Sequence, residues 1–319
     1  MLQFLNRYTS LQWLILIVLS AFSIFTIVTK TQITTEIDTC FLFHFFTNQF
    51  VKNEYLLKGI IIAILITQTA LLQYFFIKKE FVSKNSLLPA CFYLSILLLT
   101  KSLHILSPFF FTTFFFLLII AFDYTASSVK IKNNVFWVGI IIAIATCFDH
   151  AAILLLIVAI ATLFINQFSK MKEIGILFSG FLLVYFYFFS FHFFTDNLDE
   201  WLYSFQKIKE LGVFQTAEPI DNVKIIALLV LTILYFFFII KFKLLSESKV
   251  IVQRKKIITL NTWSLLIIIA VFVSNSSYPY ALGYLFFPIS VYLSLLAQEK
   301  NPFYIQDLIS IFTLVALCL

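Results

Sequence analysis

The sequence predicts an all-α, polytopic transmembrane helical bundle, and three features of its composition support that fold class. Of its 319 residues, 61% are hydrophobic and 12% are charged, and the mean hydropathy is +1.00. A soluble domain carries about a quarter charged residues. The 42 Phe residues would promote aggregation in water but suit a lipid environment. The composition therefore excludes a soluble enzyme, a secreted disulfide scaffold and a disordered protein.

Apolar stretches predict about eleven membrane spans, with a range of about nine to eleven, in a single integral membrane domain covering residues 1–319. Several stretches are shorter than the roughly 20 residues that a span normally needs. We expect the first to be a retained anchor, because it is longer than a signal-peptide core. The predicted spans are 11–29, 56–77, 87–106, 108–123, 134–149, 150–168, 174–194, 222–242, 259–275, 280–297 and 303–319.

Two of these pairs of spans come from stretches that are too long for one crossing. The stretch 134–168 would be about 52 Å long as one helix, against a hydrocarbon core of about 30 Å. We therefore expect two short helices that meet at Asp149 and His150. The stretch 87–123 is interpreted in the same way, with Ser107-Pro108 as its break.

The distribution of Lys and Arg predicts the orientation of the chain. If the N-terminus is cytoplasmic, most of the 22 basic residues lie in cytoplasmic segments, including the basic loop 243–258. These residues form short runs between apolar stretches, which is not the pattern of a nucleic-acid-binding surface. We therefore expect membrane lipids as partners and no nucleic acid.

The outer loop 195–221 has the pattern of an amphipathic helix at the membrane surface. We expect Asp196 to cap this helix, Trp201 to lie at the level of the lipid headgroups, and Gly212 to end it. The apolar residues on its one face are Leu198, Trp201, Leu202, Phe205, Ile208 and Leu211. The sequence therefore predicts an interfacial helix over 196–212 on the outer face.

Ionisable residues within or next to the predicted spans are candidates for ligand binding, because charge in hydrocarbon is costly. Lys101 and His104 lie three residues apart on one predicted helical face, and Asp149 and His150 lie at the turn of a hairpin. We expect these four residues to line a polar pocket that opens to the outer side. The alternative is a structural ion pair between Lys101 and Asp149.

Glu36 and Asp38 in the first outer loop are the candidate catalytic residues. Alternating carboxylates lie on one side of an extended segment, an arrangement that suits a general base or a divalent metal as cofactor. The alternative is an ordinary solvated loop. The sequence contains no hydrolase, zincin or nucleotide-binding motif.

The order of these features resembles that of the polytopic lipid-linked-sugar glycosyltransferases of the GT-C class. The shared features are the acidic pair in the first outer loop, the outer interfacial helix, and a Tyr- and Pro-rich start of a late span from Tyr278 to Pro288. The resemblance implies transfer of a sugar from a polyprenyl-phosphate carrier at the outer (periplasmic) face. It implies Asp38 or Glu36 as base or metal ligand.

In the same resemblance, Lys101 with His104 or His150 would hold the phosphate. The whole chain also resembles a family of bacterial polytopic inner-membrane proteins, a domain family of unknown function. That resemblance implies a location in the bacterial cytoplasmic (inner) membrane. The Lys and Arg distribution predicts that the N-terminus lies on the cytoplasmic side.

Two other functions stay open at this point, so the sequence leaves undecided whether the chain is an enzyme. One is a non-catalytic membrane subunit or scaffold of a larger cell-envelope complex, with other envelope proteins as its partners. The other is a transporter, which is disfavoured because no inverted repeat or matching pair of broken spans is visible.

Overall fold

The computed structural model describes residues 9–30, 32–33, 42–43, 53–78, 87–99, 103, 105–106, 108–121, 128–165, 171–196, 258, 261–262, 264–265 and 286–298. Within these residues the fold is helical apart from one strand pair of two residues each. The described helices are α1 (Thr9–Lys30), α2 (Glu54–Lys78), α3 (Leu88–Leu99), α4 (Pro108–Ala121), α5 (Ser128–Phe148), α6 (Leu154–Ile165), α7 (Met171–Phe194) and α8 (Phe286–Gln298). A 3-10 helix, His150–Ile153, precedes α6, and the strands are β1 (Gln32–Ile33) and β2 (Ile105–Leu106).

Three of the described helices, α1, α2 and α7, are long and apolar enough to cross a membrane. Large apolar side chains on all three point away from the protein, as expected where lipid is the solvent. The chain is therefore a helical membrane protein. The predicted count of about eleven spans is not supported, because the other described helices are shorter apolar segments. The predicted spans 222–242 and 303–319, and most of 259–275, lie outside the described residues.

The predicted span 87–106 is wrong in its second half. Helix α3 ends at Leu99, and Ile105–Leu106 form strand β2 instead of a further helical turn. Pro108 contributes to this change, because a proline disfavours helical backbone in the residue before it. With 12 residues α3 is about 18 Å long, much shorter than the hydrocarbon core.

Hydroxyl side chains are accommodated inside the apolar helices by local hydrogen bonds. Ser23 donates to the Leu19 carbonyl at 2.8 Å, and Thr162 donates to the Val158 carbonyl at 2.7 Å. Such bonds satisfy a buried hydroxyl within its own helix. Helix α2 begins with an ordinary cap, in which Asn53 Oδ1 accepts the Leu56 N–H at 3.3 Å.

Two buried amide side chains connect α3 to its neighbours. Gln12 of α1 accepts the Leu87 N–H at 2.7 Å, just before α3 begins. Gln68 of α2 accepts the Tyr93 hydroxyl at 3.0 Å and donates to the Phe110 carbonyl of α4 at 2.8 Å. Gln68 therefore links three helices, and its side chain is fully buried.

Helices α5 and α7 are in backbone contact at two glycines. A Cβ built on Gly139 would lie 2.2 Å from the Leu177 carbonyl oxygen, and one on Gly180 would lie 2.3 Å from the Phe136 carbonyl oxygen. Further along, the Thr146 and Tyr185 hydroxyls are hydrogen-bonded at 2.8 Å. Only small residues permit so close a crossing.

These contacts show that α5 and α7 run in the same direction. Residue numbers rise together along the two helices, from Phe136 and Gly180 to Thr146 and Tyr185. The start of α7 therefore lies about 27 Å along the pair from the end of α5. The chain must return over this distance between Phe148 and Met171. The break predicted at Asp149 and His150 is confirmed, because α5 ends at Phe148 and the 3-10 helix begins at His150.

The predicted role of Asp196 is wrong. Asp196 has φ 54° and its N–H donates to the Phe193 carbonyl, so it terminates α7 instead of capping the next helix. The rest of the predicted interfacial helix lies outside the described residues.

Candidate functional site

Of the six residues singled out from the sequence, the structure describes the side chain of Asp149 and the backbone of His150. Glu36, Asp38, Lys101 and His104 lie outside the described residues. The elements next to them in the chain are described. These elements show which parts of the chain the fold brings together.

The strand pair joins the first loop to the loop before α4. Strands β1 and β2 are parallel, with Gln32 opposite Ile105 and Ile33 opposite Leu106. In the sequence, Glu36 follows Ile33 by three residues and His104 immediately precedes Ile105. The two segments that carry the predicted carboxylates and the predicted cationic residues are therefore connected through this pair.

Lys58 connects the two helices, α1 and α2, that flank the first loop. Its Nζ donates to the Val28 carbonyl in the last turn of α1 at 2.8 Å and contacts Glu54 Oε1 at 2.6 Å. The Lys58 side chain is 16% exposed, whereas that of Glu54 is 62% exposed. A cation at the end of a helix interacts favourably with the helix dipole. Lys58 thus holds the end of α1 against the start of α2.

An aromatic stack lies at the same end of the bundle. Phe43, which belongs to the first loop, contacts Phe111 edge-on with ring centroids 5.9 Å apart. Phe111 in turn stacks on Phe148 at 5.0 Å. Phe43 and Phe111 are almost completely buried. The stack connects the first loop to the start of α4 and the end of α5.

Asp149 directly follows this stack in the chain. Its N–H donates to the Ala145 carbonyl at 2.9 Å, so the residue completes the last turn of α5. Its carbonyl accepts the Ala152 N–H at 3.0 Å and so anchors the 3-10 helix. The side chain is half-buried. The carboxylate therefore lies beside an apolar core without being completely enclosed by it.

His192 is a further histidine at one end of the helical pair formed by α5 and α7. It is buried in the last turn of α7, on the same stripe as Leu177, Gly180 and Phe181. The sequence indicated its position near the outer side but gave no reason to include it in the pocket. The helical spacing of Phe181, Tyr185 and His192 is the signal that points to a shared face.

The chemistry of this end is that of carboxylate, imidazole and ammonium groups next to lipid. Such groups can exchange protons and bind phosphate oxygens. Within the described part of the chain, no group of three or more His, Cys, Asp or Glu side chains is arranged to hold a metal ion. The predicted divalent metal therefore stays a prediction.

The chain matches no family model, no curated protein and no solved structure.

Proposed function

We propose that the protein is a membrane-embedded transferase that uses a polyprenyl-phosphate-linked sugar at the outer (periplasmic) face of the bacterial inner membrane. The observation that supports this function is the pairing of β1 with β2. This pairing connects the segment of Glu36 and Asp38 to that of Lys101 and His104. A base and a phosphate-binding group are the two functions that such a transfer needs.

The proposed reaction assigns one role to each segment. Asp38 or Glu36 accepts the proton of the acceptor hydroxyl, either directly or as a metal ligand. The acceptor oxygen then bonds to the anomeric carbon of the sugar, and the bond from that carbon to the phosphate oxygen breaks. Lys101, with His104 or His150, neutralises the charge on the departing polyprenyl phosphate. Asp149 lies at the same end of the bundle and completes the polar pocket.

The proposal includes a specific topology. It places the N-terminus in the cytoplasm and sets the predicted interfacial helix 196–212 on the outer face. Cysteines introduced at Ser204 and Ser248 should then react with an impermeant thiol reagent from opposite sides of the membrane. Reaction of both from one side would overturn this topology.

A binding assay with farnesyl phosphate, a short polyprenyl phosphate, tests the phosphate site. The purified protein in detergent should bind farnesyl phosphate and not farnesol. Lys101→Ala should weaken this binding about tenfold or more, because a charged hydrogen bond is worth about 1.5–3 kcal/mol. Lys172→Ala is the matched control, because Lys172 is exposed at the start of α7, at the other end of the α5–α7 pair.

A turnover assay tests the carboxylates. With a polyprenyl-phosphate sugar as donor in proteoliposomes, Asp38→Asn or Glu36→Gln should slow release of polyprenyl phosphate about a hundredfold or more. Binding of farnesyl phosphate should persist in these variants. Equal binding of farnesyl phosphate and farnesol by the wild-type protein would contradict the proposed function.

A structural pair between Lys101 and Asp149 predicts a different result. Removing Lys101 alone would then lower protein yield, because the Asp149 carboxylate would lose the cation that compensates its charge. Replacing both residues by Leu would restore the yield. At a phosphate site, Lys101→Ala instead keeps the yield and loses binding, and the double replacement does not restore binding.

A scaffold in a larger envelope complex is the second candidate function, and the surface of α7 favours it. This helix buries Leu177, Gly180, Phe181 and His192 and leaves most of its other side chains facing outward. The exposed side chains include Phe178, Leu182, Phe186, Tyr187, Phe191 and Phe193. A scaffold predicts that replacing Leu182 and Phe186 by Ala lowers the mass of the native complex in mildly solubilised membranes. The transferase predicts an unchanged mass.

A further inference from the structure

The interface between α5 and α7 continues beyond its last described hydrogen bond. The contacts that define it join Gly139 to Leu177 and Phe181, Phe136 to Gly180, and Thr146 to Tyr185. The residue numbers in these contacts differ by between 38 and 44. Because the helices are parallel, any further pair along the interface should show a difference in the same range.

Asp149 and His192 meet that condition, because their numbers differ by 43. Asp149 still donates its N–H to the Ala145 carbonyl, so it continues the α5 face that carries Ile142 and Thr146. His192 lies two helical turns after Tyr185 and is 2% exposed, although most of α7 faces outward. Counted from the Thr146–Tyr185 contact, Asp149 lies about 4.5 Å and His192 about 10.5 Å further along the pair, so both residues continue the interface beyond its last described hydrogen bond.

Both residues also lie where the proposed substrate has to enter. The end of α5 carries Phe148, which belongs to the aromatic stack with Phe111 and Phe43. His192 lies in the last turn of a 24-residue helix, about 31 Å from its start and hence near the far membrane boundary. An ionisable side chain kept at such a place in a membrane helix is a candidate functional group.

We infer that His192 is a further binding residue of the proposed site, and that its imidazole donates a hydrogen bond from the α7 side to the phosphate of the lipid-linked substrate. This inference rests on the proposed function. The imidazole suits a phosphate oxygen because it supplies an N–H donor in either protonation state. Asp149, on the α5 side of the same interface, then limits how far the phosphate enters, because its carboxylate repels the anion.

The geometry is tested by cross-linking, independently of any ligand. In a protein whose four native cysteines are replaced by Ser, Asp149→Cys with His192→Cys should be joined by a short rigid bismaleimide. Thr146→Cys with Tyr185→Cys is the positive control, since these side chains are in contact. Asp149→Cys with Phe191→Cys is the matched negative control, because Phe191 is exposed and points about 100° away around the helix. Absence of the first cross-link beside a positive control would overturn the inference.

The ligand is tested by binding. His192→Gln should weaken farnesyl phosphate binding about tenfold, and Phe191→Ala should leave it unchanged. Inorganic phosphate and phosphatidylglycerol serve as parallel probes: a loss confined to farnesyl phosphate supports a polyprenyl substrate. An equal loss for all three probes indicates a general phosphate site and overturns the assignment to the lipid-linked substrate.

Failure of this inference is distinguishable from failure of the proposed function. If wild-type protein binds farnesyl phosphate and His192→Gln binds it equally well, the role of His192 is wrong and the proposed function stands. If wild-type protein does not bind farnesyl phosphate, both are wrong. His192→Asn provides a second variant, and a melting temperature equal to that of the wild type shows that either variant is folded.

Discussion

Helices α3 and α7 are both strongly apolar, yet the fold buries one and exposes the other. Every side chain from Leu87 to Leu98 is buried, whereas α7 buries little beyond one stripe of residues. The buried helix is held by hydrogen bonds to Gln12 and by Tyr93, which donates to Gln68. The exposed helix is held by a crossing at Gly139 and Gly180.

The difference shows two ways to fix a helix where the solvent is as apolar as the protein interior. Burying a Leu gains little when lipid tails are equally apolar, so helix association depends on close packing and hydrogen bonding. Helix α3 has neighbours on all sides and uses buried amides to connect to them. Helix α7 has one described close partner and gains its contact from the absence of side chains at two glycines.

The largest effect is expected from filling the glycine crossing. Gly139→Leu puts a side chain where even a Cβ would lie 2.2 Å from the Leu177 carbonyl oxygen. Helices α5 and α7 must then separate, at a cost of about 3 kcal/mol or more. Gly175→Leu, on α7 with nothing within 4 Å of its Cβ, should leave stability equal or slightly raised. Thermal denaturation in detergent measures both; equal destabilisation would contradict the crossing.

A matched pair of Leu truncations tests burial directly. Leu97 of α3 is completely buried, and Leu182 of α7 is 61% exposed. Leu97→Ala should cost about 1–3 kcal/mol through the cavity that it leaves in the packed core. Leu182→Ala should cost about 0.5 kcal/mol or less, since lipid or detergent fills the space. Similar losses in the denaturation free energy would show that the two helices are not packed differently.

The buried amide is expected to give a smaller effect. Gln68→Leu removes the acceptor of the Tyr93 hydroxyl and should cost about 1–2 kcal/mol. Adding Tyr93→Phe should recover part of that loss, because it removes the Tyr93 hydroxyl that has lost its acceptor. A double-mutant cycle measures the coupling, with Thr67→Ala on the exposed face of α2 as the control. Strictly additive losses would mean that this hydrogen bond contributes nothing.

The smallest effect concerns the hydroxyl pair that extends the glycine crossing. Tyr185→Phe breaks the 2.8 Å bond to Thr146 and should cost about 0.6 kcal/mol, the average for such bonds between membrane helices. Tyr187→Phe removes the same atom from an exposed position and should have no effect. A loss in both variants would argue for a general effect of the phenol group.

The candidate site was predictable in part. The pattern around Asp149 and His150 predicted a break, and the structure has one there, because an apolar stretch longer than the bilayer has to be interrupted. The pairing of Gln32 with Ile105 was not visible in the sequence, since two residues are too few to form a strand pattern. The role that we propose for His192 was not visible in the sequence, because it depends on the direction of α7 relative to α5.

The bounds of the long helices followed from the sequence more closely than those of the short ones. The predicted spans 11–29, 56–77 and 174–194 match α1, α2 and α7 within a turn. The predicted helix through Ile105 was wrong, because a parallel pairing competed successfully with helix formation in the residues before Pro108. Asp196 was assigned to the wrong helix, because an aspartate suits both a helix start and a left-handed helix end.

By itself, the sequence determined that this chain is helical and belongs in a membrane, because its 61% hydrophobic content leaves too few charged residues to cover a soluble surface. Only the tertiary structure decided which helices lie inside and which face outward. In a soluble protein the polar face of a helix marks its exposed side, but here lipid and protein interior are equally apolar. The faces of α3 and α7 therefore look alike in sequence. Close packing at Gly139 and Gly180, and hydrogen bonds to Gln12 and Gln68, distinguish them.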